Sequence, residues 1–360
     1  MTMFIVNPFA QLPKEAPDIA ANEYGARYIQ RLPGPWQSSG SNLSDADKKW
    51  IGRDLFQDKD KNQCRLKESM NLWHSPPNEM RGDRPLADKY FRHELFTWFP
   101  MKMWKYGFKC PSCWNDMKWK KLHPTVKRIV AMNKSFYAVT ELAQCTCCSK
   151  ELACWDPLLL KQMPTWFREQ FPCTVTKFGG IHEELLSFLQ ARTAKNSPSA
   201  LASKVKELHQ KSHIRSKCSY LEDYIDWKTR AATFTTDELP EAQETPPMIP
   251  VPRADFFRTC YINDTLKRRA FILGALVSVF GIILKIDATF KICKKFAGRN
   301  KHIAANCTSI TNEKSQFVKS VFTVSEDEIS LQKMAEELMD RYEKAGMPPP
   351  KVLYVDSKCC

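Results

Sequence analysis

The chain has 360 residues, 43% hydrophobic and 26% charged, which is a globular composition with length for two or three domains. Lys and Arg outnumber Asp and Glu by 54 to 40, a formal charge of +14 that favours an anionic partner, nucleic acid ahead of an acidic membrane surface. Fourteen cysteines would suit secretion, but residues 1–20 carry prolines and acids where a signal peptide needs a basic start and an unbroken apolar run, so a reducing compartment is expected.

Residues 1–43 are rich in Pro, Gly, Ser and Asn and read as an extended arm, with Leu32, Pro33, Pro35 and Trp36 as its one sticky element. Ser44 caps a helix predicted over 45–57, whose Trp50, Ile51 and Leu55 share a stripe. Charges and prolines alternate over 58–85 as in a loop, and His74 beside Trp73 reads as a surface histidine. From Tyr90 to Trp104 the pattern turns aromatic and leads into the most specific motif of the chain.

That motif is a pair of Cys-x-x-Cys turns, Cys110/Cys113 and Cys145/Cys148, separated by 31 residues. Each turn holds two thiols on one loop, and the intervening residues suffice for two or three strands, predicted at 114–119, 126–132 and 136–142. Four thiolates converging on one ion suit zinc, which accepts a closed tetrahedral shell of sulfur without redox chemistry, so the site is structural. Cys147 and Cys154 are also within reach of the second turn. Basic charge concentrates here, with nine Lys and Arg against Asp116 alone over 101–135. Lys118, Lys120, Lys121, Lys127 and Arg128, interleaved with aromatics, are the candidate nucleic-acid contacts, since such a surface tracks phosphates and stacks bases. The competing reading makes the aromatics a core and the lysines a solvated face.

Helical periodicity follows over 156–162, 164–171, 182–193, 198–211 and 219–231, the fourth opened by Ser197 as cap and Pro198 at the first helical position. His209 and His213 lie one turn apart without a third ligand and read as a solvated pair. Residues 233–253 are acidic with five prolines and mark a linker.

The C-terminal part begins helically over 255–280, in one or two pieces. Its apolar run 270–284 is 15 residues long, short of the ~20 needed to span a membrane, and is expected to be a buried helix passing into a strand. Strands are predicted at 282–292, 301–310 and 315–324, the last two joined by a turn at 311–314. A helix follows, with Ser325 and Glu328 as capping box, Leu331, Met334, Leu338 and Tyr342 as apolar stripe, and Gly346 and Pro348 as stop. The last strand is 352–355. Strand, strand, strand, helix, strand is the order of the first half of an RNase H-like fold, and the helical crossover makes the last strand parallel to its sheet partner. Should that partner be the first strand, Asp287 and Asp356 would face each other and share divalent metal for in-line attack on a phosphodiester.

Residues 284–290 and 352–360 resemble the first two acidic motifs of RNase H-like transposases of mobile elements. The upstream region, with Cys110 to Cys113 and the stretch 171–227, resembles an uncharacterised cysteine-rich, zinc-ribbon-like domain found ahead of such cores. The likeness covers 32–360. It implies that Asp287 and Asp356 are two members of an Asp-Asp-Glu/Asp metal triad. The chain stops four residues after Asp356, so the third acid is missing and an inactive core is expected, with Mg only where that core is completed. The expected architecture is α+β and multidomain: an arm over 1–43, a zinc-ribbon-like β unit with an α-helical layer over 44–232, a linker over 233–253, and an incomplete RNase H-like α/β unit over 254–360. The expected function is zinc-dependent nucleic-acid binding, DNA favoured, with no membrane partner and with nuclear ahead of cytoplasmic localisation. The alternatives are a zinc-ribbon protein-interaction scaffold, or a fragment of an active transposase.

Overall fold

The computed structural model describes residues 28–355, apart from 39, 42, 61–62, 78–83, 192–196, 234–237, 292, 294–303 and 326. The fold is mixed α and β, in two compact units, Met1–Ile262 and Asn263–Cys360.

A short helix, Gly34–Gln37, lies within the arm expected to be extended, and helix α1 (Asp45–Leu55) follows, capped as expected by Ser44, whose hydroxyl accepts the Asp47 N–H. The hairpin β1 (Phe56–Asp60) and β2 (Gln63–Leu66) follows. The main sheet contains β3 (Trp73–His74), β4 (Leu95–Trp98), β5 (Met117–Leu122), β6 (Lys127–Val130), β7 (Ser135–Cys145), β8 (Glu151–Ala153), β9 (Cys173–Val175) and β10 (Gly180–His182). Its order is β3-β4-β7-β6-β10-β9, and β5 and β8 also pair with β7.

β7 is the organising strand, and its sequence shows why. Its first half lies between parallel β4 and antiparallel β6, and Phe136 through Glu141 are all buried, as expected of a strand covered on both faces. Its second half lies between β5 and β8, both antiparallel. There burial alternates, Ala143 and Cys145 inward, Leu142 and Gln144 half-buried, the period-two pattern of a strand covered on one face.

Aromatic residues build the core around this strand. Phe96, Trp98 and Phe171 form one group, and Trp104 meets Phe167 with ring centroids 4.3 Å apart. On the other side the described part of the N-terminal arm is docked: Trp36 is fully buried, and its Nε1 donates to the His123 carbonyl at 2.9 Å. A third core joins α2 (Glu183–Gln190), α3 (Pro198–Ala231) and α4 (Ala254–Lys267) through Leu185, Val205, Phe257 and Cys260.

α3 replaces the two helices expected at 198–211 and 219–231. It runs 34 residues without interruption, because the polar stretch between the two periodic segments contains no Gly or Pro to break it. Residues 238–253 have no regular structure, yet they form a strap fixed to the first unit rather than a free tether. Tyr224 Oη donates to the Pro240 carbonyl at 2.8 Å, Arg84 to that of Glu241 at 3.0 Å and Arg128 to that of Pro250 at 3.0 Å. Gln243 is held by two bonds, its N–H donating to Tyr220 Oη at 2.6 Å and its Oε1 accepting the Ala87 N–H at 2.9 Å.

The second unit contains the end of α4, α5 (Arg269–Val277), β11 (Ile283–Thr289), β12 (Asn306–Asn312), β13 (Phe317–Thr323), α6 (Glu328–Lys344) and β14 (Val352–Val355). The strand order is β13-β12-β11-β14, with β14 parallel to β11 and the other pairs antiparallel. Met334, Leu338 and Tyr342 of α6 pack on Leu284, Ile310 and Val318.

Three local expectations are corrected here. α6 is capped by Asp327, which accepts the Ser330 N–H at 2.7 Å, and Ser325 donates to that carboxylate at 2.6 Å instead of capping the helix. The turn between β12 and β13 falls at 313–316, two residues late, because Asn312 Oδ1 accepts from the N–H groups of Lys314 and Gln316 and Ser315 takes φ 59°. α5, expected to be buried, has no buried residue among those described, and Phe271 is 75% exposed. It is apolar on every side, so contact along one side leaves the rest uncovered. No described helix is long and apolar enough to cross a membrane.

Candidate metal centre

Both cysteine turns are the tips of hairpins that share β7. The first is closed by the Lys109–Asp116 bridge and runs into β5. The second joins β7 to β8, where Gln144 pairs with Glu151. Pairing of β5 with the second half of β7 sets Met117 opposite Cys145, and so brings the tips together.

The two tips are built alike. Cys110 N–H donates to the Asn115 carbonyl at 2.8 Å and Cys145 N–H to that of Lys150 at 2.9 Å, five residues on in each case. Four residues after the leading cysteine each tip has a left-handed residue, Trp114 at φ 58° and Ser149 at φ 56°. Neither is glycine, so each conformation costs about 1 kcal/mol, held in place by the surrounding hydrogen bonds. Lys150 Nζ reaches from one tip to Ser112 Oγ of the other at 3.0 Å.

Sγ of Cys110, Cys113, Cys145 and Cys148 all lie within 4.8 Å of one another. The Cys113–Cys145, Cys110–Cys148 and Cys113–Cys148 separations are 3.4, 3.6 and 3.7 Å. A disulfide needs ~2.05 Å, whereas a tetrahedron with metal–sulfur bonds of ~2.3 Å has edges of about 3.8 Å. The cluster has the dimensions of a metal site and not of a pair of disulfides. Of the two alternative ligands, Cys147 is exposed and gives its backbone N–H to Cys145 Sγ at 3.4 Å, and Cys154 is wholly buried away from the group.

Backbone amides prepare the sulfurs for negative charge. The Ser112 N–H, with that of Cys113, lowers the Cys110 thiol against its burial. The Asn115 backbone and side chain hold Cys113 down at about 6. The Lys150 N–H also favours thiolate at Cys148, but the Cys145 and Cys110 sulfurs together push that thiol up to about 12. Four sulfurs at this spacing cannot all ionise without a cation between them, and a divalent ion supplies that charge.

The predicted nucleic-acid contacts divide into two groups. Lys118, Lys120 and Lys121 are exposed on β5, next to the metal centre, and Lys120 pairs with Glu151 of β8. Trp119 between them is 41% exposed under the Lys102 ammonium, 4.2 Å from the ring centroid, and Trp114 at the first tip is 72% exposed. Lys127 and Arg128 are not part of this surface. Lys127 is buried with its Nζ on the Lys177 carbonyl at 2.6 Å, and Arg128 is held by the strap at Pro250. On β6 these two side chains serve packing between the sheet and its cover.

Asp287 is exposed on β11. The β11–β14 ladder ends with Ile286 opposite Val355, and Asp356 lies outside the described residues. His74, expected on the surface, is buried instead, its Nδ1 on the Asp54 carboxylate and its Nε2 2.8 Å from the Asn71 carbonyl. The exposed look of its neighbours in the sequence concealed a β3 position facing inward. His209, expected to be solvated, is buried with Nε2 on the Ala131 carbonyl at 2.9 Å, and His213 lies against Phe91.

Residues 39–266 match a family model described as Domain of unknown function (DUF6729). No curated protein and no solved structure matches the chain.

Proposed function

The chain belongs to the DUF6729 family, whose function is unknown, and we propose that it is a zinc-organised nucleic-acid-binding protein, with DNA the favoured ligand. The observation that carries this reading is the juxtaposition of the four-cysteine cluster with an exposed strand bearing Lys118, Lys120, Lys121 and Trp119. Zinc is favoured over iron–sulfur chemistry because four thiolates in a closed shell around one centre, on a two-tip β scaffold of the zinc-ribbon kind, serve structure without redox demands. The lysines neutralise phosphates, and the two exposed tryptophans offer faces on which bases stack.

The second unit supports a mobile-element origin through its strand order and through Asp287 on the first strand, and we read it as an RNase H-like half core. The observation that carries the reading, exposed lysines and tryptophans beside the cysteine cluster, speaks for binding, so binding is the function proposed.

The test uses the full chain. Metal analysis should give about one zinc per chain, lost in Cys113→Ser. Affinity for labelled DNA should fall with salt, and the triple variant Lys118→Ala, Lys120→Ala, Lys121→Ala should flatten the log–log salt slope by about two to three. Zinc without any salt-dependent nucleic-acid affinity removes the binding claim. A protein partner retained after nuclease treatment would then assign the chain to the scaffold class.

A further inference from the structure

A cleft of about 470 Å3 in the first unit lies outside the metal centre, lined by the start of α1, residues 88–93, the β6–β7 turn, one stripe of α3 and strap residues Pro246 to Ile249. Its volume is within the ~300–1,000 Å3 typical of small-molecule sites.

The α3 stripe is the informative wall. Leu201, Val205, Tyr220 and Tyr224 of this helix are buried and pack as a continuous inner face should. Between them the same face carries His209, Ser212, His213 and Ser216, Ser212 and His213 three and four residues after His209 and Ser216 three after His213, and all four line the cleft. The inner face is thus polar only where the cleft opens, which packing alone does not require. His209 donates from Nε2 to the Ala131 carbonyl, so its neutral ring keeps Nδ1 as an acceptor. His93 also lines the cleft, its Nδ1 3.7 Å from the Asp47 carboxylate, with which it pairs.

The charges on the lining are of two kinds. Asp47 is committed to the Trp50 indole N–H at 3.0 Å and to the Ser44 hydroxyl at 2.9 Å, and Asp45 to the Lys48 ammonium at 2.9 Å. Lys134, exposed at the β6–β7 turn, and Arg92 supply positive charge, and Asp88, also exposed, supplies an acceptor of the kind that binds a ribose diol. The ring of His213, 4.8 Å from that of Phe91 and inclined to it by 48°, adds an aromatic corner.

We propose that this cleft binds a nucleoside phosphate, the base against the Phe91–His213 pair and the α3 hydroxyls and imidazoles, and the phosphate toward Lys134. Planar rings with mixed donor and acceptor edges fit imidazole and serine neighbours better than a purely apolar or purely anionic ligand does.

Calorimetric titration of the full chain with the four common nucleoside monophosphates, the matching nucleosides and inorganic phosphate tests this. At least one monophosphate should bind saturably, more tightly than its nucleoside, with phosphate alone not binding. His213→Ala should weaken the monophosphate by about tenfold, and Lys134→Ala, at an exposed position, should abolish its advantage over the nucleoside while leaving the melting temperature unchanged. Competition by a short oligonucleotide would assign the ligand to a strand, and its failure to compete would assign a free nucleotide; either supports the site. Absence of saturable binding by all four monophosphates, equal binding of phosphate alone, or insensitivity to both substitutions overturns it.

Discussion

Glu141 shows how one side chain couples the sheet to solution conditions. It sits on the doubly covered half of β7 with no exposed surface, its Oε1 accepting the Met101 N–H at 2.6 Å and its Oε2 buried without a partner. Burial pushes the carboxyl from its ordinary 4.5 up to about 7, against the pull of the Met101 and Lys102 amides. The native state therefore holds this proton more tightly than the unfolded state. Its contribution to stability is full below about pH 4.5 and is lost as pH rises through 7, a change of about 3 kcal/mol at most. Glu141→Gln keeps the acceptor and removes the titration, so its denaturation midpoints should vary less between these pH values than those of the unaltered chain; parallel curves would refute the assignment. At this scale the sequence was legible where chemistry repeats locally. The Cys-x-x-Cys spacing marked all four clustered thiols, while nothing around His74 or Lys127 signalled burial, because each depends on strands contributed from elsewhere in the chain.

Among elements, α6 displays both the strength and the limit of local signals. Its apolar stripe and its stop were readable, and the stop has the expected form: Met347 N–H bonds to the Tyr342 carbonyl at 2.9 Å, Gly346 N–H to that of Glu343 at 3.0 Å, and Gly346 takes φ 63°. A Cβ built on Gly346 would meet nothing within 4 Å. Gly346→Ala should consequently cost about 1 kcal/mol from backbone conformation alone, measurable by chemical denaturation, and a loss near zero would show the helix end relaxing. The start was misread because Ser325 and Asp327 both satisfy cap chemistry, and which one caps depends on where the chain leaves β13. For α3 the periodicity identified both ends, but only the absence of a breaker between them decides for one rod. For α5, composition predicted burial that the elements packed around it do not provide.

At the level of the whole molecule, the cysteine cluster and the second unit have separate claims on stability. The cysteine cluster ties β5, β7 and β8 of the first unit, and metal affinity at such a site is folding free energy. Calorimetry of the full chain before and after chelation should show a transition moved to lower temperature and another unmoved; a uniform shift of all transitions would mean that the metal stabilises both units. The element order of the second unit and the parallel direction of its last strand could be read from the sequence, since crossover and hairpin are local, whereas the placement of β14 beside β11 is left open there. The edge of the first unit could not be read, because proline and acid content mark a segment without regular structure and say nothing of what holds it. The strap and the first turns of α4 close that unit: Phe257 and Cys260, both fully buried, complete the core begun by Ile181, Leu185 and Val205. A chain cut at residue 232 would lose this cover and leave Tyr220, Tyr224 and the Leu185 cluster facing water. The first unit thus reaches residue 262, and the segment that looks like a hinge in the sequence is the last board in its hull.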